Sequence, residues 1–176
     1  FSKSGSIAEL TNWNIYSPVW APVSLEGEWL KLQDKDPFDY AKVERKIPAS
    51  KELKVSFDLS AGQNDKGILQ IDFLDGNSIA CSRLELTPDG IFRMKGGSRF
   101  ANMMNYEAGK TYHVEAVLST ADRNIQVYVD GKRVGLRMFY APVATIERIV
   151  FRTGEMRTFP TVDTPADQTY DLPDAG

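Results

Sequence analysis

An all-β fold, a two-sheet antiparallel β-sandwich, is what this sequence predicts, and three observations carry the prediction. Apolar and polar residues alternate at period two along much of the chain, the mark of strands with one buried face and one outward face. Asp-Gly pairs interrupt these runs at Asp75-Gly76, Asp89-Gly90 and Asp130-Gly131, and hairpin turns favour that pair because they need positive φ. No stretch of ten or more residues has the i, i+3, i+4 apolar spacing of a helix.

Taken in order, residues 1–6 read as a frayed lead-in, and Ser6 to Asn12 has room for a single helical turn. Trp13, Tyr16 and Trp20 fall in an irregular, Pro-containing segment. Trp29–Gln33 and Ala41–Arg45 show weak alternation, followed by an Ile47-Pro48-Ala49 corner. Leu53, Val55, Phe57 and Leu59 then alternate with Lys54, Ser56 and Asp58. The same pattern marks Leu69, Ile71 and Phe73, then Tyr112, Val114, Ala116 and Leu118, then Ile125, Val127 and Val129. Weaker copies occur at Ala80–Leu86, Phe92–Met94 and Val134–Met138, and Ile146–Arg152 is a strand whose inward face is ambiguous. Residues 1–156 therefore read as one sandwich domain. Residues 157–176, with Pro160, Pro165 and Pro173, read as an extended tail or linker.

Composition narrows the partners. A chain of 176 residues can bury a sizeable core. Its net charge of −3 and lack of Lys/Arg clusters give no footprint for nucleic acid or for an anionic membrane surface. No apolar run approaches the roughly 20 residues of a membrane-spanning helix. Cys81 is the only cysteine, which rules out an internal disulfide and cysteine-based metal sites. The start at Phe1-Ser2-Lys3 suggests a processed or trimmed product, and the absence of an Asn-x-Ser/Thr site argues against a eukaryotic secretory origin.

The order of the strands, and above all Asn124-Ile125-Gln126-Val127-Tyr128-Val129-Asp130-Gly131-Lys132, resembles the concanavalin A-like, laminin-G-like jelly-roll modules of bacterial polysaccharide-degrading proteins. The resemblance spans about residues 13 to 155. It implies a jelly roll, a poly- or oligosaccharide ligand, a neighbouring catalytic domain or chain, and an extracytoplasmic location. The superfamily also contains glycosidases and lyases, so fold alone does not choose a function.

Catalytic signatures of that superfamily are missing. Laminarinase-like enzymes carry Glu-x-Asp-x-x-Glu on one strand, which sets a carboxylate pair on one face, and no such motif occurs here. Lyases of this fold use a Gln-x-His strand, whereas this sequence has Gln70-Ile71-Asp72. A catalytic glycoside hydrolase or polysaccharide lyase using Asp72, Arg83, Glu85 and Glu115 is thus the alternative to a non-catalytic carbohydrate-binding or accessory module.

The candidate sugar contacts come from the outward positions. Gln70, Asp72, Arg83, Glu85, Arg93, His113 and Tyr128 leave the core side of their strands and would form one hydrogen-bonding face if those strands pair in a single sheet. Trp20 and Tyr140 add aromatic rings able to stack on a pyranose, while Trp13 and Trp29 are expected to seal the sandwich end. Asp34, Asp36 and Asp39 fall within six residues and offer oxygen ligands to a structural calcium ion, although the segment lacks the Gly and terminal Glu of an EF-hand.

Overall fold

The structure, a computed structural model, describes residues 7, 10–35 and 39–154. The 1–6 lead-in, the 157–176 tail and Asp36 lie outside the described residues. Among the described residues there is no α-helix and the strands run in order. They are β1 (Trp13–Tyr16), β2 (Val23–Glu26), β3 (Trp29–Leu32), β4 (Lys42–Ser50), β5 (Glu52–Ser60) and β6 (Leu69–Leu74). Then follow β7 (Ala80–Leu86), β8 (Ile91–Gly96), β9 (Arg99–Asn105), β10 (Thr111–Ser119), β11 (Asn124–Val129), β12 (Lys132–Met138) and β13 (Ile146–Thr153).

They form a seven-stranded sheet ordered β1-β4-β13-β6-β7-β8-β9, a four-stranded sheet ordered β12-β11-β10-β5, and the β2-β3 hairpin. Every pairing is antiparallel. The two larger sheets share one core. Ile71, Phe73, Leu84, Leu86, Phe92 and Met94 face Tyr112, Val114, Ala116, Leu118, Ile125 and Val127, all buried. Phe57 meets Phe151 edge-on across the gap, with ring centroids 5.1 Å apart. Each Val, Leu, Ile, Phe or Met among them contributes about 1.5–3 kcal/mol by leaving water. The β2-β3 hairpin covers a second, smaller cluster around Ala21, Val23, Ala41 and Val43.

Bulges explain where alternation misleads. Between Ile146 and Arg148 the β13 register shifts, so Ile146, Ile149 and Phe151 all reach the core despite mixed parity. The same shift steps past Pro48, which has no N–H to give. β4 therefore continues through Ile47-Pro48-Ala49 to Ser50, and the corner expected there falls at Lys51 instead. In β12 a bulge leaves Val134 without an opposite residue, as Tyr128 pairs with Arg133 and Val127 with Gly135.

The turns follow their chemistry. Asp130 (φ 50°) and Gly131 (φ 78°) both take positive φ in a two-residue hairpin. After β6 the positive φ falls on Ser78 rather than Gly76, because the Asp75 carboxylate accepts hydrogen bonds from the Asn77 and Ile79 amides (2.8 and 2.9 Å) and shapes a longer loop. β1 is only four residues long and β9 alternates irregularly, so neither announces itself in the sequence; both are edge strands of the large sheet.

Candidate functional site

On the outward face of the seven-stranded sheet the registers line side chains up in two rows. The first runs Tyr16, Lys42, Arg152, Gln70, Glu85, Arg93 and Asn102 across all seven strands. The second runs Asn14, Glu44, Val150, Asp72, Arg83, Lys95 and Phe100. Gln70, Asp72, Arg83, Glu85 and Arg93, expected to share a face, do share it.

The middle of that face is buried. Gln70 and Asp72 are 2% exposed, and Arg83 and Glu85 are 1% exposed. Arg83 forms a two-pronged pair with Asp72, Nε donating to Oδ1 at 2.6 Å and Nη2 to Oδ2 at 2.7 Å. Burial alone would lower the Arg83 pKa, yet the Asp72 carboxylate more than offsets that and holds the guanidinium charged. Glu85 accepts from Gln70 Nε2 at 3.0 Å and from Arg93 Nε at 2.6 Å. That donation turns the Gln70 carbonyl away, and Gln70 Oε1 is buried with no hydrogen-bond partner among the described residues. Aromatic rings lie over the cations. The Phe100 centroid is 4.3 Å from the Arg93 guanidinium, and the Tyr40 centroid is 4.0 Å from that of Arg152. Burial depresses the Arg152 pKa to about 10.

A carboxylate held this way does not reach a glycosidic bond. Asp72 and Glu85 spend their oxygens on Arg83, Arg93 and Gln70, and neither faces solvent in this structure. Glu115, a possible companion to Asp72, lies on the other sheet and pairs with Lys54 at 2.9 Å.

The expected single face is in fact two. His113 and Tyr128 belong to β10 and β11, so they look out from the opposite side of the sandwich. There His113 Nδ1 lies 2.7 Å from Asp58 Oδ1, and Tyr128 Oη donates to Gln126 Oε1 at 3.1 Å. Equal alternation could not reveal which sheet each strand joins, because β10 and β11 look like β6 and β7 in sequence.

Aromatic residues sort differently from expectation as well. Tyr140 is no open platform. It packs on Leu74, Ala80 and Val150, and burial raises its phenol pKa well above the ordinary value. Trp13 is half-buried, but Trp29 is 43% exposed and does not seal the sandwich end, because it stands near the tip of the β2-β3 hairpin. Trp20, at 64% exposure, is open as anticipated.

Trp20 stands near a cluster at one end of the large sheet. Its carbonyl accepts from the Lys35 amide at 3.0 Å. Next to Lys35, Asp34 Oδ2 accepts from Thr153 Oγ1 at 2.8 Å, tying this loop to the end of β13. Tyr16, 42% exposed, lies 4.8 Å from Tyr40 between ring centroids and donates its hydroxyl to Asp39 Oδ1 at 3.1 Å. The sequence offers Tyr16 only as one aromatic ring of the irregular segment able to stack on a sugar, and does not single out Tyr40; that Tyr16 ends a short edge strand is not legible there. Asp34 and Asp39 are thus fastened to Thr153, Tyr16 and the Tyr40 amide, and Asp36 lies outside the described residues. Among the described residues no three His, Cys, Asp or Glu side chains gather as a metal-ligand set.

Two antiparallel sheets around one core define a concanavalin A-like β-sandwich. The family described as "Sialidase-like, CBM domain" matches residues 13–168, and the chain belongs to it: it is a carbohydrate-binding module. A solved sialidase is 99% identical with a TM-score of 0.88, covering 100% of this chain and 16% of its own. The chain thus spans about one sixth of that relative. Sheep galectin-11 in complex with glycerol shares the fold at 18% identity and a TM-score of 0.50, over 62% of this chain and 88% of its own. So does the GlcNAcα1-4Gal releasing endo-β-galactosidase of Clostridium perfringens, at 7% identity and 0.55, over 87% of this chain and 55% of its own. No curated protein matches the chain.

Proposed function

We propose that this module serves a sialidase to which it is covalently joined, outside the cytoplasm, by holding the enzyme on its glycan. The 99% identity to part of a sialidase chain supports that setting. The observation that carries the contact site is the exposure of Trp20 and Tyr16 at the end of the seven-stranded sheet. A flat ring covers the apolar C–H face of a pyranose, and nearby hydroxyl, carboxylate and ammonium groups of Tyr16, Asp39 and Lys42 take its hydroxyls. Arg93 offers a second contact on the same face, with a side chain 31% exposed. Asp72, Arg83 and Glu85 act as a fixed support rather than as contacts, since their charged groups are bonded to one another or to Arg93 and Gln70, and Gln70 is buried with its amide nitrogen on Glu85.

Affinity electrophoresis and calorimetry against sialylated and plant polysaccharides test this reading. Trp20→Ala is expected to weaken binding about tenfold or more, near 1.4 kcal/mol, without moving the unfolding midpoint. Retention unchanged in Trp20→Ala and in Tyr16→Ala would move the site elsewhere. Absence of retention by any glycan would remove the sugar-holding role.

A further inference from the structure

Trp20 and Trp29 belong to one β-ribbon, and its register decides where their rings go. A two-residue turn, Gly27-Glu28, joins β2 to β3, with Gly27 at φ 62°. Glu26 therefore pairs with Trp29, Ser24 with Lys31 and Val23 with Leu32. The same register runs on past the strand ends. The Gln33 amide donates to the Pro22 carbonyl and the Lys35 amide to the Trp20 carbonyl, both at 3.0 Å. Trp20 thus stands opposite Lys35, at an even spacing from Glu26 and its partner Trp29. Side chains alternate between faces along a strand, so both rings leave on one face. Burial agrees: Trp20 and Trp29 are exposed, whereas Ala21 and Val23 turn into the cluster they share with Leu30 and Leu32.

Between the two rings, on the same outward face, lie Ser24, Lys31 and Gln33. Lys31 meets Glu26 at 3.0 Å, with side chains 45% and 58% exposed. So wet a pair is held weakly and gives way to another hydrogen-bonding partner at small cost. The buried Asp72–Arg83 pair has no such freedom. From Trp20 to Glu26 the strand advances about 20 Å, the reach of roughly four linked pyranoses. A single sugar covers one ring; only a chain covers both.

We propose that the outward face of this ribbon is an extended platform for a linear oligosaccharide, stacked on Trp20 at one end and on Trp29 at the other. Ser24, Lys31 and Gln33 take its hydroxyls between them. This rests on the reading that Trp20 holds a sugar, and adds to it the length of the ligand and the residue at its far end. The occupant is a carbohydrate because the chain is a carbohydrate-binding module, and the platform is continuous with the Trp20 contact. Two-stranded ribbons twist strongly, which turns the rings relative to one another and suits a winding chain rather than a flat crystalline surface. Two rings along one chain act as linked contacts. A chain too short to reach Trp29 gains nothing from it, while one that spans both meets the second ring at high effective concentration.

Calorimetry of the 176-residue chain against two size series, poly-N-acetyllactosamine and oligosialic acid, tests the proposal. In at least one series affinity is expected to rise about tenfold from the disaccharide to the hexasaccharide and then level off. Trp29→Ala should remove that rise, so that the hexasaccharide binds no better than the disaccharide, with the unfolding midpoint unmoved. Trp29→Phe, which keeps a ring, should restore most of it. Affinity that does not depend on length overturns the proposal, as does binding of neither series. A Trp29→Ala effect that is absent, or equal at both lengths, overturns it too. The Trp20→Ala variant separates this from the earlier reading. If it weakens binding at every length while Trp29→Ala does nothing, the platform alone fails. If it leaves disaccharide binding intact, the Trp20 contact fails and the platform with it.

Discussion

Gln70, Asp72, Arg83 and Glu85 on the seven-stranded sheet hold the same outward place in the strand alternation as Lys54, Asp58, His113 and Glu115 on the four-stranded sheet. Their surroundings differ sharply. The Arg83 and Asp72 side chains are 2% and 3% exposed, whereas those of His113 and Asp58 are each 56% exposed. Both faces are laced with opposite charges, yet only on the first has water been excluded from them. The difference teaches that an outward polar residue is a ligand contact only where water, and hence a sugar hydroxyl, can replace its present partner.

The largest test of that contrast is to remove one member of the buried pair. Arg83→Met leaves the Asp72 carboxylate buried without its two hydrogen bonds, which costs about 3–5 kcal/mol. Asp72→Leu with Arg83→Met should recover most of the loss, because no charge then remains stranded. Urea unfolding measures both. A single-variant cost under about 1 kcal/mol would mean that the face is wetted. Its four central residues would then return as candidate sugar contacts.

An intermediate effect is expected in alkali. Burial raises the Cys81 thiol pKa above its ordinary 9.0 and the Tyr140 phenol pKa well above 10.0. As pH climbs past those ordinary values the unfolded chain releases protons that the folded chain keeps. The folded state then binds more protons, so stability falls as pH rises. Thermal melts should be insensitive to these two groups below about pH 8 and decline from about pH 9 upward. Cys81 should also resist a thiol reagent at pH 8 until the protein unfolds. Rapid labelling of the folded chain would show that the core around Cys81 opens without global unfolding.

How much of this was legible in sequence follows from what alternation encodes. It records which side of a strand is apolar, so β5, β6, β10 and β11 and the Asp130-Gly131 hairpin were readable. Sheet membership is a long-range property, and nothing local told β10 and β11 to pair away from β6 and β7. Bulges defeat parity outright: they hid the inward set of β13, carried β4 through Pro48, and turned Leu136 and Met138 outward. Trp20 was legible as an open ring because it sits in a Pro-containing loop. Burial of Asp72 and Arg83 was not, since in sequence they are indistinguishable from an ordinary solvated pair.

The smallest effect belongs to the other face. Lys54 and Glu115 approach to 2.9 Å with side chains 68% and 27% exposed, so water and salt screen the pair. Lys54→Ala and Glu115→Ala should each shift stability by no more than about 0.5–1 kcal/mol. Their coupling in a double-mutant cycle should fall within about 0.2–1 kcal/mol and shrink as salt is raised. The Asp58–His113 pair is more exposed still, and its loss should register no more strongly. Coupling of Lys54 and Glu115 at several kcal/mol, unaffected by salt, would place this face in the same dry condition as the Asp72–Arg83 face. The division into a dry supporting face and a wet surface would then give way to two equally buried sheets.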